Sequence, residues 1–234
     1  MALTNKITAI ANAIRNKTGE TGTMTLDQMP AKINSIPTTT VTGTNKTAEI
    51  ASKTVTEITE TDLAGISAIG DSAFYKCNKL TTVSLPRPLI TIGSNAFESC
   101  TALTTINFKQ PSWELEPCAY NINYMAFAYC SGLIKVKLAK TAPYTRNTTY
   151  IGQRAFYYCS KLQKIYLPEN VKISKEAFYG CSALTDIYYE GTLDEWKLQT
   201  GITGDEYGNW DDYFPRGSAA NITVHFSAVP SEMD

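Results

Sequence analysis

Five copies of one short sequence pattern follow each other between residues 73 and 189. They begin AFYKC (73–77), AFESC (96–100), AFAYC (126–130), AFYYC (155–159) and AFYGC (177–181), and are called copies 1 to 5. In each copy a leucine follows the cysteine by three residues, an aliphatic residue follows three later, and a large apolar residue two beyond that. The phenylalanines are separated by 23, 30, 29 and 22 residues, which is typical of stacked structural repeats. We predict structural roles for the shared positions Phe74, Cys77, Leu80, Phe97, Cys100, Leu103, Phe127, Cys130, Leu133, Phe156, Cys159, Leu162, Phe178, Cys181 and Leu184.

A single copy is too small to fold alone. Burying each of its five or six apolar repeat positions stabilises it by roughly 1.5–3 kcal/mol. Ordering the backbone of some 22 residues costs about 1–2 kcal/mol per residue. Each copy must therefore stack on its neighbours, and the sequence predicts a solenoid.

Local patterns predict an α+β repeat. In LTTVSL the apolar residues near the end are two apart, as in a strand with one buried face. Stacked copies would form a parallel strand ladder joined by short helical or irregular returns. An isoleucine precedes each Phe by five residues, and glycine follows three of these isoleucines, which suits a tight bend with positive φ.

The pattern IG, then AFxxCxxLxxVxLP, resembles the BspA-type leucine-rich repeat. The resemblance covers residues 61–190, and it implies a leucine-rich-repeat solenoid of about five repeats. Asn123 and Ser174 replace the glycine in two copies, and Tyr189 replaces the terminal leucine in the last copy.

The N-terminal residues 1–40 are predicted to form a helical hairpin. Leu3, Ile7, Ile10 and Ile14 lie on one helical face, and Thr25 with Gln28 forms a capping box for a second helix. The hairpin either caps the solenoid or pairs with copies of itself, giving a homo-oligomer through residues 1–40. The segment also resembles a module of phage and prophage tail-associated proteins of Gram-positive bacteria.

The remaining segments are a connector and a cap. Residues 41–60 are threonine-rich and suit an extended connector or exposed strand. Residues 191–234 contain a capping box, Thr192 with Glu195, and an alternating strand pattern, NITVHF (221–226). They resemble the closing segment that follows BspA-type repeats, so we predict a C-terminal cap.

The sequence offers little catalytic chemistry. The single histidine, His225, has no evident nucleophile or orienting acid, and the acid pairs Asp205-Glu206 and Asp211-Asp212 are typical of solvated loops. We find no phosphate-binding loop or metal-ligand spacing, and therefore predict no enzyme activity, cofactor or metal. The formal net charge of −1 predicts no nucleic-acid partner. We find no apolar run long enough to span a bilayer and no secretory leader pattern, and therefore predict neither membrane insertion nor secretion.

Binding surfaces are more plausible sites. Two long insertions at equivalent points of adjacent copies (109–120 and 139–149) carry aromatic residues and arginine, which are enriched at binding hot spots. The non-core strand positions in the middle of the ladder are basic and aromatic, which suits an acidic or sugar-rich ligand. The predicted ligand-binding residues are Trp113, Tyr120, Tyr144, Arg146, Lys135, Lys137, Lys164, Tyr166 and Tyr188. The alternative is an ordinary solvated sheet face with tolerated loop elaborations.

Three functions remain open at this point. The first is a virion protein of the phage tail, assembled in the bacterial cytoplasm, whose solenoid binds a bacterial surface glycan or protein and whose N-terminus binds other tail proteins. The second is a bacterial cell-surface adhesin of BspA type that binds a host protein. The third is a purely structural virion component.

Overall fold

The structure is a computed structural model that describes residues 53–86, 91–109, 119–139, 148–200, 213–214 and 222–228. The chain divides into two units, Met1–Thr40 and Val41–Asp234, and every described residue belongs to the second unit. The predicted helical hairpin (1–40) and the first part of the predicted connector lie outside the described residues.

The repeat strands build the predicted parallel ladder. In spatial order its seven strands are β1 (Glu57–Ile58), β3 (Thr82–Leu85), β5 (Thr105–Phe108), β7 (Lys135–Lys137), β9 (Lys164–Leu167), β11 (Asp186–Tyr189) and β12 (Thr223–His225). The aliphatic repeat positions are in register: Val83 pairs with Ile106, and Ile106 pairs with Val136. Alternate residues of a strand face the same side of the sheet, and this register puts the apolar positions of all copies on one side. The apolar residues therefore form one continuous buried layer. The parallel-strand solenoid is confirmed.

A second, narrower parallel sheet was not predicted. It orders β2 (Ala68–Ile69), β4 (Thr91–Ile92), β6 (Asn121–Ile122), β8 (Thr149–Ile151) and β10 (Val171–Ile173) side by side. Each strand contributes the isoleucine that precedes its Phe by five residues, and these isoleucines are buried. The solenoid therefore has a strand on two of its sides.

The returns between the two sheets are turns, so of the two predicted alternatives, helical or irregular, the described residues show irregular returns. The described part of the chain contains one helix, α1 (Leu193–Thr200), in the predicted cap. Its predicted capping box is present: the Glu195 amide donates to the Thr192 hydroxyl at 3.3 Å, and the Thr192 amide donates to the Glu195 carboxylate at 2.7 Å. The sheet is then extended by β12, which pairs in parallel with β11.

The glycine after the isoleucine serves a different purpose from the one predicted. Gly93 and Gly152 do not have positive φ, so the predicted left-handed bend at these positions is wrong. A Cβ on Gly152 would lie 2.8 Å from the carbonyl oxygen of Ile122 in the preceding copy. Glycine is needed there because the backbones of adjacent copies approach closely.

Two columns of side chains run through the stacked turns. One is a stack of buried phenylalanine rings with successive centroids 4.7–5.4 Å apart and interplanar angles of 3–8°, comprising Phe74, Phe97, Phe127, Phe156, Phe178 and Phe214. The other is the column of buried, free repeat cysteines. In copies 2 to 5 the cysteine Sγ donates to the phenylalanine carbonyl of the previous copy, as Cys130 does to Phe97 at 3.1 Å. These columns join each copy to its neighbour inside the core.

Burial also lowers the reactivity of three of these cysteines. It raises the pKa of the Cys100 thiol to about 12, and it raises the pKa values of Cys130 and Cys159 well above the ordinary range. Because the thiolate is the reactive form, these cysteines have a structural role rather than a nucleophilic one.

Candidate binding site

A basic stripe crosses the outer face of the seven-stranded sheet. Lys135 on β7 pairs in register with Lys164 on β9, and Lys137 lies on the same face of β7 two residues later. Lys135 is exposed, while Lys137 and Lys164 are half-buried. We call Lys135, Lys137 and Lys164 the lysine stripe, and it concentrates three positive charges on two neighbouring strands.

The stripe ends at a histidine–carboxylate pair. Nε2 of His225 on β12 lies 2.8 Å from Oδ1 of Asp186 on β11, and the His225 ring stacks on Tyr188 with centroids 4.4 Å apart. Lys164 places its Nζ 5.9 Å from the centre of the Tyr188 ring. The hydrogen bond from His225 lowers the pKa of the Asp186 carboxyl. His225 thus fastens the last strand to the sheet, as a residue of the cap.

Two predicted ligand-binding tyrosines lie underneath this surface. Tyr166 is fully buried and Tyr188 is 9% exposed, and they form a small apolar cluster with Ala228. Ala228, three residues after β12, packs in this cluster, and its amide donates to the Tyr189 carbonyl at 3.0 Å. The expectation that both rings face a ligand is therefore incorrect for Tyr166, and only a small edge of Tyr188 is accessible.

The insertion residues divide between the core and the undescribed part of the chain. Tyr120 is buried, and its ring packs edge-on against Phe108 with centroids 4.9 Å apart, so it is a core residue rather than a loop contact. Trp113, Tyr144 and Arg146 lie outside the described residues. Their role in binding stays a prediction.

Other chemistry is sparse in the described residues. Among them no group of three or more His, Cys, Asp or Glu side chains is arranged to hold a metal ion. The acid pairs at 205–206 and 211–212 lie outside that part of the chain. A search of the same residues for a helix long and apolar enough to cross a membrane found none.

The structure also brings together a group of tyrosines that the sequence reasoning missed. Tyr129, Tyr157, Tyr158 and Tyr179 come from the turns of copies 3 to 5, and Tyr129 and Tyr158 are 40% and 43% exposed. Aligning AFAYC, AFYYC and AFYGC would have revealed them, because equivalent positions of stacked copies are spatial neighbours.

Comparisons with known proteins bear on the repeats. Residues 111–198 match the family described as BspA type Leucine rich repeat region (6 copies). The match starts in the insertion before copy 3 and ends in the predicted cap, and it covers less than half of the chain. A comparison with curated proteins found no match.

Three known structures are similar to the chain. The leucine rich cell surface protein of Faecalibacterium prausnitzii A2-165 is 29% identical, over 62% of this chain and 34% of that protein, with a TM-score of 0.50. A leucine rich repeat protein of T. pallidum is 26% identical, over 52% of this chain and 62% of that one, with a TM-score of 0.37. One from Bacteroides ovatus ATCC 8483 is 25% identical, over 53% and 35%, with a TM-score of 0.35. The chain thus spans about a third of the length of the Faecalibacterium protein.

The family match and the similarity to the Faecalibacterium protein support the BspA-type repeat and the leucine-rich-repeat fold. They do not support the predicted role in a phage tail, and they fit the alternative of a surface-type binding protein better.

Proposed function

We propose that this solenoid is a non-enzymatic binding protein of the bacterial cell surface, of adhesin type, that holds an acidic partner against its lysine stripe. The match to the BspA-type repeat and the similarity to a leucine rich cell surface protein support a surface location. Solenoids present extended surfaces, and binding across such a surface is their usual role.

The register of Lys135 and Lys164 carries this proposal. Neighbouring strands lie about 4.7–4.9 Å apart, so like charges at paired positions of two strands repel each other. Here two lysines occupy directly paired positions, and Lys137 adds a third charge on the same face. An acidic ligand on this face would relieve the repulsion and gain charge-assisted hydrogen bonds.

The test is binding of labelled protein to immobilised host proteins and to a panel of bacterial cells, with the double variant Lys135→Ala/Lys164→Ala. Lys161→Ala/Lys172→Ala is the matched control, because both of its lysines are exposed and lie off the seven-stranded sheet. We expect binding that weakens as salt rises and falls about tenfold or more in the stripe variant only. Equal losses in both double variants would assign the effect to net charge and refute the site.

A role in a phage tail is a second candidate, and the N-terminal resemblance is the observation that favours it. In this proposal residues 1–40 attach the chain to other tail proteins and join it into a homo-oligomer, while the solenoid recognises a bacterial surface glycan or protein. Deleting residues 1–40 should then convert a multimer into a folded monomer, as measured by light scattering. A deletion variant that fails to fold would show instead that the segment caps the core.

A further inference from the structure

A second exposed surface lies away from the lysine stripe, on the turns of copies 3 to 5. It combines the turn tyrosines with Tyr124, which is 41% exposed. We call Tyr124, Tyr129, Tyr157, Tyr158 and Tyr179 the tyrosine cluster. Soluble proteins seldom gather so many exposed or half-buried rings in one place unless the surface binds something.

The four turn tyrosines of the cluster pack on one another and are therefore held in fixed positions. Tyr129 stacks on Tyr158 with centroids 5.8 Å apart, and Tyr157 stacks on Tyr179 at 5.5 Å. The two stacks meet where Tyr157 lies edge-on to Tyr158 at 4.7 Å. Tyr158 also rests on Gly180, where a Cβ would come within 2.8 Å of the ring. A ligand would meet a surface that is already ordered, so little side-chain entropy is lost on binding.

The fold does not require tyrosine at two of these positions. The second residue after each repeat Phe has positive φ in all five copies, namely Lys76, Ser99, Tyr129, Tyr158 and Gly180. The left-handed conformation costs roughly 1–2 kcal/mol for residues other than glycine, and bulky residues are rare there. Tyr129 and Tyr158 thus place large, exposed rings where glycine or serine satisfies the same turn.

A polar network lies at the centre of the cluster. Nε of Arg154 donates to a Glu176 carboxylate oxygen at 2.7 Å, and the Gln153 amide lies 3.5 Å from the same oxygen. Arg154 also hydrogen bonds to Tyr124, and its guanidinium lies 5.2 Å from the centre of the Tyr157 ring. The hydrogen bond from Arg154 lowers the pKa of Glu176, so the pair is ionised at neutral pH and its charges cancel.

From these features we infer that the tyrosine cluster binds a neutral carbohydrate. The C–H faces of a sugar ring pack well against aromatic rings, and its hydroxyl groups both donate and accept hydrogen bonds. Arg154, Glu176 and Gln153 together offer planar donors and acceptors to such hydroxyls. Because the Arg154–Glu176 pair has no net charge, it does not attract an acidic polymer as the lysine stripe does. This inference goes beyond the proposed function and does not depend on it.

The test is binding of the full chain to immobilised neutral oligosaccharides of glucose, galactose, mannose and N-acetylhexosamines, with sulfated and uronic-acid oligosaccharides for comparison. Calorimetry then measures the affinity for the best neutral sugar. The variant Tyr124→Ser/Tyr129→Ser keeps residues that copy 2 already uses at the equivalent positions, Ser94 and Ser99, so it should fold. Tyr75→Ala in copy 1 is the control outside the cluster.

We expect at least one neutral oligosaccharide to bind, with about tenfold or greater loss of affinity in the double serine variant and none in Tyr75→Ala. The affinity should change little between about 50 mM and about 500 mM NaCl, since no net charge is involved. No binding of any neutral sugar by the folded chain overturns the inference. So does binding confined to the charged oligosaccharides, or loss of cell binding in the serine variant without any sugar binding, which would indicate a protein ligand.

Discussion

Replacing one phenylalanine of the phenylalanine stack by leucine should lower the free energy of unfolding more in the middle of the stack than at its end. Phe127 is fully buried between Phe97 and Phe156, with centroid distances of 5.1 and 5.3 Å and interplanar angles of 3° and 8°. Phe74 is equally buried but stacks on one described ring, Phe97, at 4.7 Å. Leucine keeps most of the apolar volume and removes the ring, so Phe→Leu isolates the stacking contribution from the loss of burial.

The magnitude follows from the number of ring pairs lost. A stacked aromatic pair contributes about 0.5–1.5 kcal/mol beyond its buried area. Phe127→Leu removes two pairs and should lower the free energy of unfolding by about 1–3 kcal/mol from this source, against about 0.5–1.5 kcal/mol for Phe74→Leu. The adjustment to a different side-chain shape, usually under about 1.5 kcal/mol, is common to both and cancels in the difference.

The assay is urea-induced unfolding followed by far-UV circular dichroism, with the midpoint converted through the common slope. Phe97→Leu is a further control, because Phe97 has two stacked neighbours and should resemble Phe127→Leu. Equal losses for Phe74→Leu, Phe97→Leu and Phe127→Leu would show that burial alone stabilises the column and that the stacking geometry is incidental.

Three further predictions concern the thiols, the histidine pair and one turn. Because burial raises the pKa values of Cys100, Cys130 and Cys159, maleimide at neutral pH should leave them unlabelled in the native protein and label them after denaturation, as mass spectrometry of peptides would show; native labelling would contradict their burial. The lowered pKa of Asp186 contributes stability that is present above the unfolded pKa of about 3.9 and is lost as pH falls through the folded pKa. The variant Asp186→Asn should therefore show a smaller fall in melting temperature below about pH 4 than the parent protein. Parallel profiles of melting temperature against pH for the two proteins would disprove the linkage. Gly180→Ala should lower the free energy of unfolding by about 1–2 kcal/mol or more, because φ is +79° there and the new Cβ would meet the Tyr158 ring; an unchanged urea midpoint would show that the ring moves without cost.

The larger sheet could be predicted from the sequence because its strands show a period of two. Val83, Ile106 and Val136 recur at a fixed distance from each repeat leucine, and the structure pairs them in register. The narrow sheet could not, because strands such as Asn121–Ile122 have two residues and contain no alternation to detect. A single isoleucine is compatible with a strand, a turn or a helix.

The candidate sites were harder to predict because exposure depends on layers beyond the strand itself. Alternation correctly placed Tyr166 on the outer face of β9, yet Tyr166 is fully buried there, in a cluster with Tyr188 and Ala228. The tyrosine cluster was missed for the opposite reason. Its contacting rings from adjacent copies are 21 to 29 residues apart, as with Tyr129 and Tyr158, and only the stacking of the turns makes them neighbours.

The repeating contact between copies also makes the solenoid a molecular ruler. Each copy joins the next through one ring of the phenylalanine stack and one thiol–carbonyl hydrogen bond, so an inserted copy could use the same two connections. It would separate the first strand from the cap by about 4.7–4.9 Å more, the spacing of neighbouring strands. Duplication or loss of a copy would thereby reset the distance between features at the two ends in fixed increments, while every surface on the retained copies kept its own chemistry.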